Sequence, residues 1–361
     1  MSDLMDYLTW RGDLTFGNDP LCPVDALIFS VLSYVRLEGF VKADPAADPV
    51  RLADAASGYL DATKELPPTM HRPFLMRMAK SPRFSQLRFL GAQSTIDATR
   101  GIQFGALSAL LPGQTLLVAF EGTDDTLVGW EEDFRMSYEC PVPAQLRAVE
   151  YLRAVAAAYP LRRIVVCGHS KGGNLAMYAA VNAGPAVRSR IKEVYNFDGP
   201  GFCDDTLSSA GYLEIRDRLH SFLPESSIVG VLLEHDENYK IVKSSARGLR
   251  QHDPYSWEVL GADFVYTSER TAFGKQTEAI MDHFTNTFSP ERKRLFGKAL
   301  FAVLESTEQD TFSGISANKL QSIKNAVRGF TSLDSETRDL LVTTLAALAD
   351  SRRAVRRAEK R

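Results

Sequence analysis

Long apolar runs are missing from this 361-residue chain. No window reaches the ~18 uninterrupted apolar residues of a membrane span. The start, MSDLMDYLTWRGDL, puts acids where a secretion signal carries its basic end. The expectation is a soluble, cytoplasmic protein. An excess of one charge is missing too. There are 42 Lys+Arg against 45 Asp+Glu, a net charge of -3, which provides no long-range field to gather a polyanion. Nucleic acid is not an expected partner. Cysteine is scarce: Cys22, Cys140, Cys167 and Cys203 are scattered without a Cys-x-x-Cys pair. A chain with 45% apolar residues does not need staples, so four reduced thiols are expected.

Internal repeats and low-complexity linkers are also absent, so organisation has to be read from changes in hydrophobic period. Three stretches separate. Residues 1–95 contain a nearly continuous apolar helix, Val24 to Tyr34, and a Pro-punctuated remainder, and are expected to form a helical wrap on something larger. Residues 96–268 alternate strand and helix. IQFGALSALL, a Pro112-Gly113 turn and TLLVAF predict a hairpin. Then follow the helix Ala144 to Ala158, the strand RRIVVCG, the helix GGNLAMYAAVNA and the strand EVYNFDG. Strand, helix and strand in this order predict a mostly parallel α/β core flanked by helices. Residues 269–361 are expected to be helical, beginning a helix at Ser289-Pro290-Glu291 with a Ser cap and Pro at the first position. The basic end, SRRAVRRAEKR, suits a solvated helix terminus. A membrane-surface or nucleic-acid contact is the alternative reading of it.

The most informative residues are Gly168-His169-Ser170-Lys171-Gly172-Gly173, between a predicted strand and a predicted helix. A serine on such a turn presents its hydroxyl above the sheet edge, and the glycines leave room for close packing. This is a nucleophile elbow, with the N–H of Lys171 as the first oxyanion donor. Lys171 follows the serine and no Gly-x-x-x-x-Gly-Lys precedes it, which excludes a phosphate-binding loop. The lysine would also bring a positive charge to the elbow, which would favour an anionic substrate such as a phospholipid or acyl-CoA.

A serine hydroxyl needs a base. Of six histidines, four follow the nucleophile: His220, His235, His252 and His283. His252 lies in a polar, Pro-limited loop after the strand-like YKIVKSS and is favoured over His235. Asp253 is expected to cap the following turn. For the acid, Asp198 ends the strand VYNFD before Gly-Pro-Gly on the same sheet edge as Ser170, where it could equally cap a turn; Glu225 and Asp236 are substitutes. Thr123, after TLLVAFEG, is the candidate second oxyanion donor or a simple turn residue. The acidic run Trp130 to Phe134 is expected to be a solvated loop. No metal and no cofactor are assigned.

Together, DYLTWRGDLTF, VDALIFSVLSY, FEGTDDTLVGWEEDF, GHSKGGNLAMYAA, VYNFDGPGF, SSIVGVLLEH and QHDPYSW resemble the Mbeg1-like proteins, relatives of the class 3 lipases within the α/β-hydrolase fold. The resemblance implies that fold with N-terminal and C-terminal helical extensions, Ser170 as nucleophile, His252 as base and Thr123 in the oxyanion loop. Two departures stand out. Class 3 lipases carry Arg-Gly-Thr or Arg-Gly-Ser where this chain has Glu121-Gly122-Thr123, which reverses a charge. They take their acid from an Asp-x-Val-Pro segment where this chain has Ser226-Ser227-Ile228-Val229-Gly230. The expected activity is hydrolysis of a small-molecule or lipid ester or thioester. A non-catalytic binding or scaffold protein is the alternative.

Overall fold

The computed structural model describes residues 2–358 apart from Pro68, Asp204 and Glu237, with side chains described as far as residue 347 except those of Asp282, His283 and Phe312. A nine-stranded sheet runs in the order β1 (Val50–Arg51), β2 (Arg88–Asp97), β3 (Ile102–Leu111), β4 (Thr115–Phe120), β5 (Arg163–His169), β6 (Ile191–Phe197), β7 (Leu219–Pro224), β8 (Tyr239–Val242) and a final strand, Tyr266–Thr267. β1 to β4 pair antiparallel, β4 to β8 parallel, and the final strand pairs antiparallel with β8.

The helices divide by the sheet face they cover. Helix α1 (Leu4–Trp10), α2 (Pro23–Leu32), α3 (Leu52–Ala62) and α4 (His71–Lys80) precede β3, and α5 (Leu127–Arg135) and α6 (Pro143–Ala158) connect β4 to β5. Helix α7 (Lys171–Asn182) and the short α8 (Pro185–Arg188) connect β5 to β6, and α9 (Ala210–Ile215) leads into β7. Period-2 alternation decides the packing. Leu116, Val118 and Phe120 of β4 and Ile164 and Val166 of β5 join the core formed with α6, α7 and α9, while Leu117, Ala119, Val165 and Cys167 join α1 to α4 on the other face. Parallel strands that follow one another in sequence order, with crossovers of one hand, put every crossover helix on the same side. The opposite side has to be covered from elsewhere. α2 does this, and lying between the sheet and its neighbours it buries every residue from Val24 to Leu32. Its continuous apolar character has this cause.

The expected boundary at residue 95 falls inside β2, so residues 1–95 contribute strands as well as helices. The sequence RFLGAQSTID carries only Thr and Ile as β-branched residues and a glycine within it, which weakens its strand signal. The helices α10 (Ala272–Thr287), α11 (Pro290–Glu305), α12 (Phe312–Ala317), α13 (Lys319–Ser332) and α14 (Ser335–Ala358) follow the sheet. Ser289 caps α11 by accepting from Arg292 N, with Pro290 at the first position, as the sequence predicts. These helices have a small core of their own around Phe296, Ala299 and Leu341, and Phe134 of α5 packs against it. The basic side chains after residue 350 lie outside the described residues. Among the described residues no helix is long and apolar enough to cross a membrane.

Candidate active site

β5 ends at His169, and Ser170 turns the chain directly into α7. Ser170 sits at φ 60°, ψ -135°, a left-handed conformation that costs a non-glycine residue of order 1–3 kcal/mol and persists only where the surroundings enforce it. They do so here through tight backbone contacts. A Cβ on Gly168 would overlap the carbonyl of Gly172, and one on Gly172 would overlap the carbonyl of Phe120 at the end of β4. Ser170 N donates to Phe197 O at 2.9 Å, tying the elbow to β6.

Asp198 follows β6, is fully buried, and also has a positive φ of 53°. Its Oδ2 lies 2.6 Å from His252 Nδ1. Its Oδ1 accepts from the Ser227 hydroxyl and from Gly230 N at 3.1 Å. Ser226-Ser227, at the place where class 3 lipases carry their acid, therefore supplies a donor to a carboxylate from the neighbouring strand. Of the substitutes, Asp236 pairs with Arg216 at 2.9 Å, and neither it nor Glu225 bonds to His252. His220 pairs with Glu193, and His235 bonds to the carbonyl of Leu233. His252 ends a 3-10 turn, Gly248–His252, held by its neighbour: Gln251 Oε1 accepts from Ser226 N at 2.6 Å, and Trp257 Nε1 donates to Gln251 O at 2.8 Å. Asp253 caps the next turn by accepting from Tyr255 N at 3.0 Å, as expected.

The loop after β4 lies against the elbow: a Cβ on Gly122 would come 3.0 Å from Ser170 Cβ. Thr123 is on that loop, but its hydroxyl donates to the carboxylate of Asp133. The hydroxyl is therefore engaged, and the backbone N–H is the second donor that Thr123 carries. The acidic run is not a solvated loop. It forms α5, with Glu132 fully buried and Asp133 on the wall of the cavity above Ser170. The reason is Lys171. Its side chain turns away from the elbow into the core, where Nζ donates to Gln103 O at 2.9 Å and Oε1 at 2.5 Å and pairs with Glu132 Oε2 at 3.0 Å. The lysine charge is spent inside the protein, so the expectation that it favours an anionic substrate does not hold.

Charge beside the Gly122-Thr123 loop is handled by burial and pairing. Burial pushes the Glu121 carboxyl up to about 7, against the pull of Arg36, whose Nη1 lies 2.9 Å from Oε2. Burial likewise raises Asp133 to about 6, opposed by Lys171 and the Thr123 hydroxyl. Cys22 and Cys167 are pushed up to about 12 by burial, which leaves them weak nucleophiles.

Ser170 and His252 open on a cavity of about 1180 Å³. Glu121, Asp124 and Asp133 line its polar wall, and Phe134 of α5, Met281 and Phe284 of α10 and Phe301 and Leu304 of α11 line an apolar one. Arg36 and Tyr34 also line it. Arg36 carries no motif and Tyr34 only ends the apolar run VDALIFSVLSY, so it is their position just past α2 that brings them to the sheet edge.

The Mbeg1-like profile matches residues 78–302, more than half of the chain. The chain belongs to the Mbeg1-like family. For this Mbeg1-like chain, the strand–serine–helix elbow on a mixed sheet whose strands β4 to β8 run parallel is the α/β-hydrolase fold. The solved structures that the chain is similar to include lipases. A Rhizomucor miehei lipase propeptide complex is 15% identical over 70% of this chain and 76% of its own, with a TM-score of 0.38. Lipase II from Rhizopus niveus is 13% identical over 62% and 79%, with a TM-score of 0.32. A triacylglycerol lipase described as having a serine protease triad at its catalytic centre is 14% identical over 62% and 80%, with a TM-score of 0.35. No curated protein matches the chain in sequence.

Proposed function

We propose that the protein is a serine hydrolase of esters or thioesters with an apolar acyl part. Ser170 attacks the carbonyl carbon while His252 takes the hydroxyl proton, and His252 then returns that proton to the leaving oxygen or sulfur. Asp198 holds the Nδ1–H tautomer and offsets the imidazolium charge. The backbone N–H groups of Lys171 and Thr123 receive the oxyanion. Water then enters by the same base and releases the acid. The reading rests above all on the 2.6 Å contact between Asp198 and His252 beside a strained serine in one cavity. The apolar wall supports an apolar acyl group and a lipid or small-molecule ester. The reading includes a cytoplasmic enzyme, with contact to a membrane surface through the basic end as the alternative.

A second reading, a hydrolase-fold binding protein without turnover, draws on one observation: Asp133 and Glu121 stand beside the oxyanion loop. Fluorophosphonate labelling separates the two, because only a base-activated serine reacts quickly. Labelling of wild type that disappears in Ser170→Ala and falls at least about 10²-fold in rate in His252→Ala is the outcome expected. A folded wild type that stays unlabelled favours the binding protein.

A further inference from the structure

Resting on the reading of His252 as the base, we propose that His169 and Tyr34 are positioning residues that hold that base against the nucleophile. One hydrogen bond to Asp198 fixes a single point of the imidazole and leaves rotation about it. A second anchor is present. The side chain of His169, the residue immediately before Ser170, lies against His252, with ring centroids 4.7 Å apart at 33°. His169 Nε2 lies 2.8 Å from the backbone carbonyl of His252.

The chemistry of these partners assigns the protons. A carbonyl oxygen only accepts, so His169 Nε2 carries the hydrogen. Burial and the neighbouring His252 push His169 down to about 3, so its ring is neutral and Nδ1 accepts. The Tyr34 hydroxyl lies 3.0 Å from Nδ1 and 3.3 Å from the His169 backbone oxygen, and it shares its one hydrogen between them with Nδ1 the nearer. A neutral ring against His252 does not oppose the imidazolium that forms during proton transfer, as a charged one would. Because His169 and Ser170 are consecutive residues at the rigid end of β5, the spacing of base and nucleophile is set through one side chain.

The anchor continues into the N-terminal region. The Tyr34 ring stacks on His71 at 5.9 Å and 14°, and His71 Nδ1 lies 3.0 Å from the hydroxyl of Tyr255, three residues beyond His252 on the same loop. The loop carrying the base is thus held at two points by groups that come from β5 and from the start of α4. Tyr34, His71, His169 and Tyr255 all line the cavity, but their hydrogen bonds run to one another and to the loop that carries His252, which makes the arrangement a clamp on that loop.

The test compares wild type with His169→Phe, His169→Gln and Tyr34→Phe on an uncharged p-nitrophenyl ester, with thermal unfolding as the folding control. His169→Phe keeps a ring and loses both hydrogen bonds, so kcat is expected to fall about 10²-fold with KM nearly unchanged. The Gln side chain can still donate to the His252 carbonyl and is expected to restore most of the loss. Tyr34→Phe removes one hydroxyl and is expected to lower kcat about fivefold. If His169→Phe does not fold, Tyr34→Phe carries the comparison. A second readout needs no turnover: the downfield Nδ1–H proton resonance of His252, bonded to Asp198, is expected to persist in His169→Gln and to broaden away in His169→Phe. Wild-type kcat in His169→Phe, an unchanged resonance there, or a Gln variant as impaired as Phe overturns the clamp. An inactive wild type whose resonance still depends on His169 keeps the clamp and overturns the hydrolase reading.

Discussion

Two buried ionisable groups, Lys171 and Glu121, flank Ser170, and each has a partner distant in sequence. Lys171 and Glu132 form a pair with no exposed side-chain surface. Removing one member of such a pair leaves the other charge buried alone, at a cost of about 3–5 kcal/mol. Lys171→Met is expected to lose about that much in urea unfolding, with Lys171→Met/Glu132→Gln recovering most of it. The ratio of rates on anionic and neutral esters should stay the same in the double variant. Glu121 behaves differently, because its folded value of about 7 lies above its ordinary 4.5. A carboxyl raised in this way contributes stability below pH 4.5, and the contribution is lost as pH rises through about 7. Glu121→Gln is therefore expected to gain in melting temperature relative to wild type between pH 4.5 and 7, by a few degrees for each ~1 kcal/mol. A melting difference that does not change over that range would show that the carboxyl is ionised throughout. Ser170 was legible at this scale because its strained turn, its glycines and its helix are neighbours in sequence. Arg36, Tyr34 and Ser227 were not, because each acts through a partner on another strand or helix.

Among the elements, the close packing of β4, β5 and α7 sets the geometry at the elbow. A Cβ on Gly172 would overlap the Phe120 carbonyl and come 2.9 Å from Glu121 C and 3.0 Å from Gly122 N. Gly172→Ala is expected to push α7 away from the loop that carries Thr123, lowering esterase kcat about 10²-fold even in protein that folds. Full activity in that variant would mean that the loop gives way at no loss to the site. Element type followed period where period was strong, as in α6, α7, β4 and β5. It failed for β2, whose alternation is interrupted by glycine and small polar residues and whose place is set by pairing with β3. It also failed for α5, where three consecutive acids suggested solvent. The helix buries the second of them because Lys171 needs a counter-charge.

For the whole molecule, the helices after the sheet close over the cavity and contribute its apolar wall. Rings from three helices meet at Phe134, which lies 6.0 Å from Phe284 and 5.8 Å from Phe296. If this wall receives the acyl chain, filling it selects against long chains. Leu304→Trp is expected to lower the ratio of rates on long and short acyl esters by about tenfold, read from kcat/KM on a chain-length series. A ratio that does not move would assign the acyl chain to another part of the cavity. The local pattern was sufficient for the elbow, the α/β order of elements and the helices that follow the sheet, since each rests on residues within one turn or one strand of each other. Which carboxylate meets which histidine, where the lysine charge goes and what lines the cavity are contacts between residues tens to hundreds of positions apart. Hydrophobic period and turn chemistry carry no information about such distances, so these contacts exist only once the sheet has brought its strand ends together.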